Sequence, residues 1–334
     1  MTRARNPGRY AGMLALLLAA VLWGGMFPVA KSALVTLDAF WLTLIRYGSG
    51  ALLFVALLAA IEGRAVLRFE SRTLALWGYG TAGFAGFSIL AFLGLSRSQP
   101  EHGAIIMALM PLLGVLMNAL WRGVRPTPLN MAAIVLALGG VALVITKGHL
   151  GALLQGGEAV ADLLILAGAL CWVIYTLGAQ DFPGWSPLRY TALSCLLAVP
   201  GIALVTLLAT LAGMAHAPSS ATLAGLTGEL IYMIMLAGVV AVLAWNMGIK
   251  TLGAGGVLFI NFVPVTALII GWLQGHRLGA AELAGALIVM SALVLGNLRR
   301  RPVARAPEPG LCRCNAGEYP RYRRAEQDAA RHAP

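Results

Sequence analysis

Two basic residues lie inside or at the end of long apolar stretches, where a charge is costly and usually has a function. Arg46 lies well inside one stretch, in LTLIRYGSG, and Lys31 closes the stretch before it. A guanidinium can hold a carboxylate or a phosphate through two parallel hydrogen bonds. Arg46 is therefore a candidate anchor for an anionic ligand, unless it caps carbonyls of a neighbouring helix. Lys31 lies close enough to the end of its stretch to extend its ammonium group to the interface instead.

Uncharged aromatic and amide side chains within the apolar stretches are suited to line a cavity for a small metabolite. These candidates for substrate binding are Trp23, Phe27, Trp172, Tyr175, Trp245, Asn246 and Asn261. Pro28, Pro111 and Pro264 lie in the same stretches, and each removes a backbone donor and bends its helix. Freed carbonyls are tolerated in a membrane where they line a cavity, so these prolines are predicted kinks that support gating.

Acidic residues are absent from the centres of the apolar stretches. The acidic residues associated with these stretches lie at or close to the end of a stretch: Asp38, Glu101, Asp162, Glu229 and Glu282. A proton-coupled carrier usually needs a titratable group within the membrane. The coupling mode is therefore open between uniport, exchange and a peripheral site such as Glu101–His102.

Composition places most of the chain in lipid. Of 334 residues, 59% are hydrophobic and 11% are charged, whereas a soluble domain has about 25% charged residues. The net charge of +11 reflects basic residues at the ends of apolar stretches and in the C-terminal tail. That distribution indicates membrane topology and no nucleic-acid partner.

Catalytic, metal and cofactor motifs are not predicted. The five histidines are scattered, and no acidic pair stands on one helix face, which disfavours a membrane enzyme acting on lipids. Cys312 and Cys314 form a lone C-x-C without a second pair. The predicted partners are a small-molecule substrate and the lipid bilayer, with the oligomeric state open.

The apolar stretches predict an all-α integral membrane protein with ten transmembrane helices. Each stretch approaches or exceeds the length needed to cross ~30 Å of hydrocarbon. The predicted spans are 11–30, 39–61, 73–96, 102–121, 129–146, 159–179, 187–211, 228–250, 255–274 and 280–298. With the N-terminus inside, the outer connections carry only Arg97, Lys147 and Arg277, and both termini are cytoplasmic.

An internal repeat divides the spans into two halves. The stretch 92–111 aligns without a gap on 245–264, so that Arg97 falls on Lys250 and Pro111 on Pro264. The predicted halves are 10–147 and 158–298, followed by a disordered, basic cytoplasmic tail at 299–334. Because each half has an odd number of spans, the halves lie in opposite orientations, as in many secondary transporters.

Several motifs in order along the chain resemble a known family. They are WGGMFPVAK at 23–31, the Arg46-Tyr47 pair, GAIIMALMP ending at Pro111, LALGGVALV at 136–144, CWVIY at 171–175 and AWNMGIKTLGAGGVLFINFVPVTALIIGW at 244–272. The pattern resembles the EamA-type, ten-helix branch of the drug/metabolite transporter superfamily. That resemblance implies an inner-membrane carrier, most often an exporter of amino acids or related small metabolites, with a cavity between inverted halves. A lipid-linked or nucleotide-sugar carrier of related fold is the alternative.

Overall fold

The computed structural model describes residues 7–149, 157–252, 259–275 and 277–297. These residues form helices and connections, with no strand among them. We number the longer helices α1 Pro7–Ala33, α2 Ala39–Ile61, α3 Thr73–Arg97, α4 Pro100–Ala108 with Met110–Arg122, α5 Pro128–Thr146, α6 Glu158–Gly178, α7 Pro187–Leu211, α8 Thr227–Leu252, α9 Phe262–Leu273 and α10 Ala280–Asn297. A short helix, Ser220–Gly225, precedes α8.

Seven of these helices, α1–α3 and α5–α8, are long and apolar enough to cross a membrane. The two parts of α4 are bent by 44° and make an eighth span if they count as one. The apolar helices α9 and α10 are shorter. The prediction of an all-helical membrane protein is confirmed, whereas the number of ten spans stays a prediction. The predicted tail at 299–334 lies outside the described residues.

The three predicted kink prolines occupy different positions in their helices. The bend in α4 falls at the break between Ala108 and Met110, and Pro111 lies in the first turn after it. Pro264 also lies in a first turn, that of α9, where a missing N–H costs little. Pro28 is the one of the three inside a continuous helix, α1.

Two π-helical stretches interrupt the regular hydrogen bonding of α3 and α8. They cover Thr81–Gly86 and Tyr232–Val240. A π turn leaves a backbone carbonyl without its regular partner, and such turns are frequent at functional sites. In α8 the carbonyl of Ala237 accepts a hydrogen bond from Trp23 Nε1 at 3.0 Å, which ties α8 to α1.

The helices pack in a small number of extensive pairs. These are α3 with α6, α1 with α8, α5 with α10, α2 with α7, α3 with α7, α4 with α6, and α1 with α9. Small residues bring the backbones together. A Cβ on Gly140 of α5 would lie 2.8 Å from the carbonyl oxygen of Gly285 in α10. A Cβ on Gly248 of α8 would lie 2.9 Å from the carbonyl oxygen of Gly12 in α1.

Asp38 begins α2 and also holds the loop that follows α7. Its Oδ1 accepts from the amides of Phe40 at 3.0 Å and Trp41 at 2.9 Å, which is an N-cap. Its Oδ2 accepts from the amide of His216 at 3.0 Å. One side chain therefore satisfies three backbone donors.

We expect Asp38→Ala to lower the free energy of unfolding by about 1 kcal/mol or slightly more, the usual cost of removing an N-cap. Asp38→Asn keeps an acceptor oxygen for the cap and serves as the control, with a smaller loss expected. Thermal unfolding of both variants in detergent measures the difference. An Asp38→Ala protein as stable as wild type would contradict the assigned cap.

Candidate functional site

Arg46 is buried in the first half of α2 with 8% of its surface exposed. Its Nη2 donates to the sulfur of Met26 at 3.2 Å. Its guanidinium carbon lies 4.9 Å from the ring centroid of Tyr47 and 5.8 Å from that of Phe92. These contacts place the cation between α1, α2 and α3, against aromatic faces that attract positive charge.

The guanidinium of Arg46 is only partly satisfied. Its Nη1 is buried and has no hydrogen-bond partner within the described part of the chain. The weak Met26 acceptor takes the place that a carboxylate or a carbonyl would normally fill. The structure therefore does not show Arg46 capping a neighbouring helix, which was the alternative left open by the sequence. A buried donor without a partner is what a site for an anionic group requires.

Aromatic rings connect Arg46 to two of the predicted site residues on α6. The Tyr47 ring lies 5.0 Å from Phe84 between centroids, and Phe84 lies 6.3 Å from Trp172. Trp172 in turn lies 5.1 Å from Tyr175. A continuous aromatic path therefore runs from α2 through α3 to α6.

Tyr175 lies at the far end of this path and is already satisfied. It is buried, its hydroxyl donates to Thr191 Oγ1 at 3.2 Å, and its ring stacks on Tyr190 at 4.9 Å. Trp172 is only half-buried and also contacts Phe87 at 5.2 Å. Of the two residues, Trp172 has more free surface to offer a ligand.

The remaining predicted residues lie on α1, α8 and the start of α9. Trp23 and Trp245 contact each other, with 5.2 Å between ring centroids. Phe27 is buried against Gly103 of α4, where a Cβ would lie 2.9 Å from the ring. Asn246 is half-buried, and the Oδ1 of Asn261 is buried without a partner among the described residues. The structure thus brings Trp23 and Trp245 into contact. It also connects Arg46 to Trp172 through the aromatic path described above.

Lys31 caps the C-terminal end of α3. Its ammonium group donates to the carbonyls of Leu95 at 2.8 Å, Ser96 at 3.0 Å and Ser98 at 2.8 Å. Carbonyls at the end of a helix lack intrahelical partners, so a cation there stabilises the helix end. The role visible for Lys31 is structural.

Sequence reasoning missed a buried ionic cluster centred on His102, at the start of α4. The His102 ring Nδ1 lies 2.8 Å from Oδ2 of Asp162 in α6, and its Nε2 lies 2.8 Å from Oε1 of Glu282 in α10. His102 and Asp162 are 0% exposed, and Glu282 is 5% exposed. The partners come from three separate helices, so no local motif reveals them. The Glu101–His102 step was the only hint in the sequence.

Lys147 and Glu158 border this cluster at the end of the bundle. The Lys147 ammonium lies 2.7 Å from Oε2 of Glu158 and 3.6 Å from Oε1 of Glu282. Burial alone would lower the pKa of Lys147, but the two carboxylates outweigh it and raise the pKa. Glu158 also lies 3.9 Å from His102 Nδ1.

Separate ion pairs occupy the opposite end of the bundle. Arg122 donates to Asp181 at 2.8 Å, and Arg189 donates to Glu70 at 2.6 Å. The hydrogen bond from Arg189 lowers the pKa of Glu70 below its usual value. Arg46 takes part in neither set of contacts and lies between the two ends.

Comparison with known proteins identifies the family. A model described as the EamA-like transporter family matches residues 10–146 and again residues 159–298. "Uncharacterized transporter YrdR" of Bacillus subtilis is 36% identical over 297 residues, which cover 87% of this chain and 92% of the relative. "Probable terminal-alkyne amino-acid exporter" of Streptantibioticus cattleyicolor is 24% identical and covers 88% of this chain and 96% of the relative.

One crystal structure adds a likeness of fold. It is 22% identical in sequence, has a TM-score of 0.58, and covers 86% of this chain and 96% of its own. The two family matches and the relative from Bacillus subtilis carry the assignment. The chain belongs to the EamA-like transporter family and is a multi-span membrane transporter rather than an enzyme.

Proposed function

We propose that the protein is a secondary transporter of the bacterial inner membrane that exports amino acids or related small metabolites by alternating access. The observation that carries this proposal is Arg46, a buried guanidinium whose Nη1 has neither a hydrogen-bond acceptor nor a carboxylate beside it among the described residues. A substrate carboxylate supplies both the missing charge and the missing acceptor. The aromatic group that includes Tyr47, Phe84 and Trp172 contacts the rest of the substrate.

Two inverted five-helix halves, 10–147 and 158–298, are part of the proposal. The helix pairing supports them, because each extensive pair maps onto itself or onto another observed pair when each helix is exchanged for the one five places along the chain. The pair α3–α6 becomes α8–α1, and α1–α9 becomes α6–α4, while α2–α7 and α5–α10 map onto themselves. The pair α3–α7 is more extensive than its counterpart α2–α8. The π turns in α3 and α8 are also equivalent under this exchange. The two separate family matches agree with the same division.

Alternating access follows from the position of Arg46 between the two ends. Arg46 is buried, and ionic contacts join helices at both ends of the bundle. A substrate therefore reaches Arg46 only after one end opens, and it leaves after the other end opens. At the bend in α4 beside Pro111, the two parts of this helix can change their angle without unfolding.

Amino acids are the preferred substrate class for a chemical reason and a comparative one. Their carboxylate matches the Arg46 fork, and the aromatic path accommodates an apolar side chain. A relative over nearly the whole chain carries the name of an amino-acid exporter. With the N-terminus inside, both termini are cytoplasmic and export proceeds away from them.

Counterflow in proteoliposomes tests the function directly. Vesicles are loaded with one member of a panel of amino acids and organic acids, and uptake of the same labelled compound is followed. We expect accelerated exchange for at least one carboxylate-bearing compound and none in empty liposomes. Exchange only with nucleotide sugars or lipid-linked compounds, in folded protein, would overturn the amino-acid assignment.

A further inference from the structure

The geometry points to a proton-binding site at His102 that, together with Asp162 and Glu282, holds one end of the bundle closed. The inference deepens the proposed function and rests on it, because it assigns this site to one conformation of an alternating-access cycle. Its basis is the number of protons that the contacts around His102 require.

A neutral imidazole carries one N–H and one lone pair. Both ring nitrogens of His102 lie 2.8 Å from a carboxylate oxygen, Nδ1 from Asp162 and Nε2 from Glu282. If both carboxylates were ionised and the ring were neutral, one of these contacts would bring two lone pairs together. The observed geometry therefore needs one proton more than a neutral ring between two carboxylates.

The second oxygen of each carboxylate also accepts a hydrogen bond. Oδ1 of Asp162 accepts from the hydroxyl of Ser98, and Oε2 of Glu282 accepts from the amide of Gly279. A hydrogen bond donated to the second oxygen stabilises the ionised form of each carboxylate. An imidazole is also the stronger base, with an ordinary pKa of about 6.5 against about 4 for a carboxyl group. The extra proton therefore belongs on the ring, and His102 is an imidazolium that donates to both sides.

The charged groups around the ring come closest to balance when this proton is bound. Asp162 and Glu158 approach from α6, and Glu282 approaches from α10. The facing cation is Lys147 at the end of α5.

Two further charged groups lie next to this cluster. From α1, Lys31 bonds the Ser98 carbonyl, and on α4 itself Glu101 packs against Gly271 of α9. With Glu101 ionised, the seven groups hold four negative and three positive charges when the ring is protonated. Loss of the ring proton would leave a second uncompensated negative charge in a buried place, which is strongly unfavourable.

The site joins the two proposed halves. His102 lies in the first half, whereas Asp162 and Glu282 lie in the second half, so both ring contacts cross between them. All three side chains are almost fully buried, so water reaches them only when this end of the bundle opens. The proton thus favours the closed end, and its release favours opening.

The direction and steepness of the pH dependence follow from linkage. Closure is favoured at low pH, when the ring is protonated, and weakens as the pH rises through the release of this proton. One proton changes the ratio of closed to open molecules by up to roughly tenfold per pH unit. In the proposed orientation this end faces outward, so external acid returns the carrier to its inward-facing state.

The test uses the full-length protein in lipid nanodiscs without substrate. Spin labels are attached through Val35→Cys, after α1, and Leu283→Cys, on α10, both exposed positions at this end. Cys171, Cys195, Cys312 and Cys314 are replaced by Ser beforehand. Distances between the labels are measured from about pH 5 to about pH 10, a range around the ordinary histidine pKa of about 6.5.

We expect a longer distance to replace the short one as the pH rises in the otherwise wild-type protein. His102→Gln keeps a polar side chain but binds no proton, and it should abolish the pH dependence. Asp162→Asn is a second variant with the same expectation if His102→Gln does not fold. The matched control is Glu229→Gln, which removes an exposed carboxylate that bonds Ser32 and joins α1 to α8.

Two results would overturn the inference. One is a distance between the labels that does not change with pH, and the other is a pH dependence of this distance in His102→Gln equal to that of the otherwise wild-type protein. Because no substrate is present, the outcome is separate from that of counterflow. If an amino acid is exchanged but the distance between the labels does not depend on pH, only the proposal of a proton site fails. If the distance depends on pH but no amino acid is exchanged, only the assignment of the substrate class fails.

Discussion

Replacing Arg46 by Met should reduce transport by roughly 10- to 100-fold while making the substrate-free protein more stable. A hydrogen bond to a charged group contributes about 1.5–3 kcal/mol, which corresponds to this loss of exchange. Stability should change in the opposite direction, because the guanidinium is buried and its Nη1 has no hydrogen-bond partner among the residues that the structure describes. Replacing even a buried ion pair by apolar residues of similar size is often neutral or stabilising by about 1–4 kcal/mol, and a buried charge without a counter-ion is less favourable than a pair. The cation–π contacts with Tyr47 and Phe92 reduce this gain but do not supply the missing acceptor.

Counterflow with the identified substrate and thermal unfolding of the same preparations measure the two effects. Arg46→Lys separates charge from geometry, since an ammonium cannot hold a carboxylate with a planar fork, and we expect an intermediate loss. Arg97→Ala is the matched control, because it removes the same charge from an exposed position at the end of α3. Full transport by Arg46→Met in folded protein would remove Arg46 from the binding site.

Helix positions were predictable because a single physical demand fixes them. In lipid every backbone polar group must be satisfied internally, so an apolar stretch of sufficient length becomes a helix. The predicted spans 39–61 and 187–211 have the same bounds as α2 and α7. Each begins just after a residue suited to an N-cap, Asp38 or Ser186, which makes its start visible in the sequence.

The site was only partly predictable, because the sequence shows which residues are unusual but not which ones meet. Arg46 was conspicuous as a charge inside an apolar run, and its role as a ligand anchor stays a proposal. His102, Asp162 and Glu282 lie near helix ends, where charges are ordinary, and their meeting depends on the packing of α4, α6 and α10. Lys31 shows the converse: a conspicuous charge whose visible role is to cap a helix.

The close backbone approach of α5 and α10 allows a second strong prediction, in which adjacent glycines of α5 respond oppositely to alanine. A Cβ on Gly140 would lie 2.8 Å from the carbonyl oxygen of Gly285, whereas a Cβ on Gly139 meets nothing within 4 Å. Gly140→Ala therefore forces α5 and α10 apart, and overpacking of this kind typically costs about 1–3 kcal/mol. Gly139→Ala adds a better helix former in open space and should stabilise slightly.

Gly285→Ala should resemble Gly140→Ala, because its Cβ would lie 2.5 Å from the carbonyl oxygen of Gly140. Thermal unfolding of the three variants in one detergent compares them directly. Since the two glycines share a single contact, the double variant should lose less than the sum of the single losses. Equal stability of Gly139→Ala and Gly140→Ala would contradict the close approach of α5 and α10. The pair is self-equivalent under the proposed exchange of halves, so the same variants also test the contact at which those halves would be joined around their symmetry axis.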